Sequence, residues 1–159
     1  MLFTSIMHVS FYTEQFDEMV DFYQNKLGCT VKSLVRYKEY LDRPDRPAYQ
    51  KLAQEDPEGI FYIYFEIAPG QFIELFPAMP GQKPHREWNE DHGYSHFALL
   101  TDDIYKTEAE MKARGVEPDT VISKGPSGTY QQWYQDPDGN KFEVMQYTED
   151  SYQVVGHIS

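Results

Sequence analysis

A chain of 159 residues with 40% hydrophobic and 16% aromatic content can bury a substantial core, which excludes a disordered or low-complexity protein. The formal net charge of −12 argues against nucleic acid and anionic membrane surfaces as partners, and no apolar run approaches the length of a membrane helix. A single cysteine, Cys29, excludes an intrachain disulfide, and residues 1–6 lack the basic and apolar regions of a secretory signal, so the expected location is the cytoplasm.

Residues 5–12 alternate as a strand, with Met7, Val9 and Phe11 on one face and Ile6, His8, Ser10 and Tyr12 on the other. From Glu14 the period becomes helical: Phe16, Met19, Val20, Tyr23 and Leu27 form the stripe, Thr13 stands as N-cap and Gly28 as terminator. Strands are expected over 30–36 and 61–67. Between them an insertion, about 36–59, reads as a polar excursion in which Arg36, Lys38, Arg43, Arg46 and Lys51 are interspersed with acids. A Pro69-Gly70 turn leads to a fourth strand over 71–76, where Ile73 and Leu75 oppose Phe72, Glu74 and Phe76. Residues 4–77 thus read β-α-β-β-β, and the breaker-rich stretch 78–92 reads as a linker.

Residues 93–148 repeat that order. A strand over 94–100 precedes a helix over 103–114 closed by Gly115; strands over 120–124 and 129–134 follow, then a turn at 136–139 and a strand over 141–147. The tail, 149–159, has no assignable pattern. His8 precedes Gly28 by 20 positions and His96 precedes Gly115 by 19, while Gly70 and Gly139 each precede a glutamate, Glu74 or Glu143, by 4. His8 to Glu74 spans 66 positions and His96 to Glu143 spans 47, the difference falling in the Arg-rich insertion. The expected fold is therefore α+β, a single domain of two βαβββ modules in tandem that form a metal-binding cleft.

Two histidines on first strands and two glutamates on last strands, at equivalent places of a duplicated unit, form a ligand set if they meet around one point. Imidazole nitrogen with carboxylate oxygen suits a divalent ion such as Ni, Zn, Co, Mn or Fe, and the lack of thiolates argues against copper(I) and iron–sulfur clusters. Such an ion polarises a carbonyl and stabilises a developing enediolate, while a neighbouring carboxylate moves the proton. Each residue alone has a plainer reading. A strand histidine is often only hydrogen-bonded structure, a strand glutamate can face water, and the aromatic positions Tyr12, Tyr62, Tyr64, Phe72, Phe76, Trp133 and Tyr147 can be core as readily as pocket. His85, His92 and His157 lie outside the repeat and read as surface residues.

His8, the Phe22-Tyr23 and Leu27-Gly28 pairs of the first helix, the Phe-Ile-Glu-Leu tract at 72–75, His96, and the Asp-Pro-Asp-Gly-Asn tract at 136–140 with Phe142-Glu143 resemble the vicinal oxygen chelate superfamily. That group contains glyoxalase I, methylmalonyl-CoA epimerase, extradiol dioxygenases and the fosfomycin and bleomycin resistance proteins. The resemblance implies metal ligands at His8, Glu74, His96 and Glu143, with Glu143 as the proton-transfer base. It is similar to the His-Glu-His-Glu pattern of bacterial glyoxalase I, which implies a lyase or isomerase working through a metal-bound enediolate. Two positions depart from that pattern: Tyr12 stands where an arginine is usual and Ala78 where an asparagine is usual. Both belong to the glutathione-binding machinery, so the resemblance does not carry glutathione as co-substrate. An epimerase of an acid or acyl thioester is a rival, and a metal-free drug-sequestering resistance protein is the alternative from another class. Tyr12, Phe72, Trp133 and Arg36 are the expected substrate-binding residues, the last because cations of the insertion can meet a carboxylate or phosphate. The expected partner is a small molecule, and the expected assembly a homodimer.

Overall fold

Alternation builds the first sheet. In the computed structural model, which describes every residue except Phe3, His85 and Ser159, β1 (His8–Thr13) buries Phe11 and Thr13, half-buries Val9, and exposes His8, Ser10 and Tyr12. It begins three residues later than the alternation suggests. Its partner β4 (Gln71–Pro77) pairs with it from Phe72, opposite His8, and the Phe72 amide donates to the Met7 carbonyl at 2.9 Å, the last backbone bond before the ladder ends. β2 (Thr30–Arg36) and β3 (Ile60–Ala68) complete a sheet of order β1-β4-β3-β2, with β1 parallel to β4 and the other pairs antiparallel.

Helix α1 (Phe16–Asp21) runs directly into a π-helical turn, Phe22–Lys26, in which the Leu27 amide donates to the Phe22 carbonyl at 2.9 Å. The wider turn shifts the phase of the buried stripe. Phe22 joins Met19 and Tyr23 in the core, while Leu27, expected there from a 3.6-residue period, is only half-buried. Gly28 leaves the helix at φ 75°, a conformation that suits glycine. Thr13 is not the N-cap; that position is Gln15, whose amide donates to Thr13 Oγ1 at 2.9 Å and tightens the β1–α1 connection. The helical face covers Phe65, Ile73 and Leu75 on the buried side of the sheet, with Tyr23 stacked on Phe65 at 6.1 Å.

The insertion is folded rather than a loose polar arm. A 3-10 turn (Tyr37–Tyr40) and α2 (Pro47–Glu55) occupy it, with Pro47 in the first helical turn and Ala53 fully buried. Two bonds tie its ends together, from the Tyr37 amide to the Gly59 carbonyl at 3.0 Å and from the Lys38 amide to the Pro57 carbonyl at 2.9 Å.

The chain separates into two compact units, Met1–Lys83 and Pro84–Ser159. The second repeats the sheet in order β5-β8-β7-β6, built from β5 (Phe97–Leu100), β6 (Ser123–Lys124), β7 (Tyr130–Gln135) and β8 (Lys141–Gln146). Helix α3 (Ile104–Ala113) is capped by Asp103, whose Oδ1 accepts from the Lys106 amide at 3.0 Å, and it buries Ile104 and Met111 against a core that includes Tyr134, Phe142 and Val144. β6 is shorter than expected. Thr120 meets β7 through its hydroxyl, which accepts from the Trp133 amide at 3.0 Å, instead of through a strand ladder. The tail has structure that its sequence does not announce: α4 (Tyr152–Val155) follows Ser151, a fully buried residue whose hydroxyl meets Thr129 Oγ1 at 3.0 Å. Among the described residues no helix is long and apolar enough to cross a membrane.

Candidate active site

The β1–β4 register places Ser10 beside Glu74, so His8, two residues earlier on the same face, lies diagonal to that glutamate. His8 Nε2 is 3.4 Å from Glu74 Oε2, with the imidazole partly exposed and the carboxylate nearly buried. Tyr64, directly across from Glu74 on β3, completes the group. Its ring meets the His8 ring edge-on at 5.6 Å, and its hydroxyl donates to the Glu74 carboxylate. Burial, and then that bond, push the phenol well above its ordinary range.

The second unit reproduces this arrangement by the same register. Ala98 pairs with Glu143, His96 lies two residues before Ala98, and His96 Nε2 is 3.3 Å from Glu143 Oε2. Trp133 takes the place of Tyr64, across from Glu143 on β7, and the His96 ring packs against it at 4.7 Å. The expected linker contributes here. Trp88 lies 5.2 Å from Trp133 and donates its indole N–H to the Ser95 carbonyl, while Ser95 Oγ sits 3.1 Å from His96 Nδ1. His96 is thus held through one ring nitrogen while the other faces Glu143.

The two units differ in one respect that bears on chemistry. Tyr64 supplies Glu74 with a hydroxyl donor, whereas Trp133 supplies Glu143 with an aromatic surface. Each His–Glu pair offers an imidazole Nε2 and a carboxylate within 3.4 Å, a donor set that fits a borderline divalent cation. Among the described residues, no three His, Cys, Asp or Glu side chains gather as a metal-holding group, so the association visible is pairwise.

Of the other expected site residues, Phe72 lies on the Glu74 face, edge-on to Tyr64 at 5.8 Å, and Tyr12 is exposed and stacked on Phe76 at 4.9 Å. Arg36 is engaged at home, donating to the Glu58 carbonyl with Nε 3.8 Å from the Glu58 carboxylate. His92 and His157 are exposed, the latter stacked on Tyr152, and His85 lies outside the described residues. The pairing of Tyr64 with Glu74 was not singled out from the sequence: counting back across the Pro69-Gly70 turn reaches Phe65, and a register shift between Glu66 and Ala68 brings Tyr64 opposite Glu74 instead.

The Asp-Pro-Asp-Gly-Asn tract sets the start of β8. Asp136 Oδ1 accepts from the amides of Asp138 and Asn140 at 3.0 and 2.9 Å, and Oδ2 accepts from Asn140 Nδ2 at 2.8 Å. Asp136 and Asn140 are both buried, so the turn is braced from inside, three residues before Glu143.

A model of the Glyoxalase/Bleomycin resistance protein/Dioxygenase superfamily matches residues 5–144. The chain belongs to this superfamily. Its fold is shared by a glyoxalase family protein from Enterococcus faecalis, 21% identical with a TM-score of 0.67, over 91% of this chain and 99% of that one. It is shared also by a glyoxalase/bleomycin resistance protein/dioxygenase from Nocardioides, 18% identical with a TM-score of 0.62, over 100% and 92% of the two chains. A lactoylglutathione lyase from Agrobacterium tumefaciens is 20% identical with a TM-score of 0.56, over 92% of this chain and 96% of that one. No curated protein matches the chain. Superfamily membership accounts for the doubled βαβββ order.

Proposed function

We propose that this superfamily member is a metal-dependent, glyoxalase I-like lyase or isomerase that moves a proton next to a carbonyl of a small-molecule substrate. The observation that supports it most is the recurrence of the pair, Nε2 to Oε2 at 3.4 Å in one unit and 3.3 Å in the other. His8, Glu74, His96 and Glu143 would hold a divalent ion of the Ni, Zn, Co, Mn or Fe type. When bound, the ion supplies Lewis acidity to a substrate carbonyl, which makes the hydrogen on the adjacent carbon more acidic. Glu143, with no phenol donor across the strand, takes that proton and returns it to the neighbouring carbon in an isomerisation. Glu74, held by Tyr64, serves as an anchor. The proton is conserved, so no redox partner is required. Phe72 and Trp133 flank the pairs as apolar walls on the same faces.

Epimerisation of an acid or acyl thioester uses the same residues, with the proton returned to the carbon it left. It is favoured by Tyr12, which is stacked on Phe76 and brings no cation to the position where a glutathione-using relative would carry arginine. Solvent-deuterium exchange at the carbon beside the carbonyl, measured on hemithioacetals and acyl thioesters, tests the shared step. Glu143→Gln should slow exchange about 10²- to 10⁴-fold while the protein stays folded. Exchange at the unmutated rate would remove Glu143 from the reaction. Binding of an aromatic drug to chelator-stripped protein, with quenching of Trp133 fluorescence and no exchange on any substrate, would favour the sequestering alternative.

A further inference from the structure

In the first unit the His8–Glu74 face continues into the insertion through aromatic side chains. Tyr64 leads to Tyr62 at 5.4 Å between ring centroids, and Tyr62 to Phe61 at 5.3 Å. Phe61 is buried. Three tyrosines of the insertion close on it, with Tyr37, Tyr40 and Tyr49 at 5.5, 4.9 and 4.8 Å. Tyr12 reaches the same group by stacking on Phe76, itself 5.4 Å from Phe61. Rings packed tilted or edge-on around a filled centre leave no cage for a cation. They present phenol hydroxyls and ring edges instead. Among the described residues, the hydroxyls of Tyr12, Tyr37, Tyr40, Tyr49 and Tyr62 take no protein hydrogen-bond partner, and none is sealed from solvent. Burial raises the phenols of Tyr12 and Tyr37, and neighbouring groups add to it, Tyr49 and Glu74 at Tyr12 and Tyr12 and Asp56 at Tyr37.

The insertion's cations are otherwise occupied. Arg36 and Lys38 meet Glu58, Arg43 and Arg46 meet Asp45, and Lys51 meets Glu55. The hydrogen bond from Arg43 holds Asp45 down at about 2, so that pair persists across physiological pH. An anionic group arriving here would find each guanidinium and ammonium beside a carboxylate, in a protein of net charge −12.

We infer that the tyrosine array is a binding subsite for an uncharged aryl group bearing hydroxyl or carbonyl oxygens. The ring edges supply contact area, and the unpartnered phenols supply donors and acceptors in fixed positions. The binding is independent of metal and of the proposed reaction.

Equilibrium dialysis of the full chain, stripped of metal by chelator, against 2,4-dihydroxyacetophenone and its charged counterpart 4-acetylbenzoate tests it. The hydroxylated ketone should bind at least about ten-fold more tightly than the carboxylate, and the double variant Tyr40→Phe with Tyr49→Phe, which keeps both rings, should weaken it about ten-fold. His96→Ala should leave this binding unchanged, so failure of the metal reading and failure of the subsite are separate results. Equal binding of the carboxylate, unchanged affinity in a folded double variant, or no binding of the hydroxylated ketone would each overturn the subsite.

Discussion

Asp136→Ala removes a buried carboxylate that braces the turn before β8. The carboxylate accepts two backbone amides and one side-chain amide at 2.8 to 3.0 Å, and Asn140, one of the donors, is itself buried. Hydrogen bonds to a charged acceptor contribute about 1.5–3 kcal/mol each, but the half-exposed Asp138 amide regains water when released. Allowing for that recovery and for the relief of burying the carboxylate, the loss comes to about 3 kcal/mol. Urea unfolding followed by tyrosine and tryptophan fluorescence measures it as a lower midpoint at unchanged slope. Asp136→Asn, which keeps an oxygen for the two backbone amides but turns an amino group toward Asn140, should lose less, about 2 kcal/mol. A loss below about 1 kcal/mol for the alanine variant would refute the idea that this tract holds the glutamate strand in place.

Tyr64→Phe keeps the ring against His8 and removes the hydroxyl from Glu74, so metal affinity should fall about ten-fold with little change in stability; titration calorimetry of the variant checks this. A methyl group at Gly59 would lie 2.4 Å from Asp56 Oδ2 and 3.0 Å from the Tyr37 ring, and Asp56 Oδ1 already accepts the Gly59 amide. Gly59→Ala should therefore cost about 1–2 kcal/mol in urea unfolding and weaken aryl binding at the tyrosine array together. Burial pushes the Cys29 thiol up to about 11. Because the folded value lies above that of the unfolded chain, the thiol's contribution to stability is complete below the ordinary thiol range and is lost as pH rises through about 11. At pH 8 only ~0.1% of it is thiolate, so labelling by a disulfide reagent should be slow in the native protein and fast in urea.

The parts of the fold that follow period-2 alternation were legible in the sequence. β2, β3, β4 and β8 lie within a residue or two of their expected ranges because each places small, regular sets of apolar residues on one face. The phase of α1 was not legible past Asp21, since a π turn breaks the assumed 3.6-residue repeat and brings Phe22 inward. The insertion concealed its helix behind eleven charged side chains and prolines, although Pro47 followed by Ala48, Leu52 and Ala53 carries a helical start. At the site, the repeat singled out His8, Glu74, His96 and Glu143, and the parallel registers of β1 with β4 and of β5 with β8 set each histidine near its own glutamate. What spacing could not supply was the neighbour across the strand. Tyr64 and Trp133 differ in one capacity, a hydroxyl that reaches a carboxylate, and that difference appears only once β3 and β7 are paired.

The most direct test of the metal reading is calorimetric titration of Ni²⁺ and Zn²⁺ into chelator-stripped protein beside His96→Ala. Tight binding of about one ion per chain, lost in the variant, is the expected result for four ligands acting on one ion. No binding by the unmutated protein, or binding that His96→Ala leaves intact, would contradict the account.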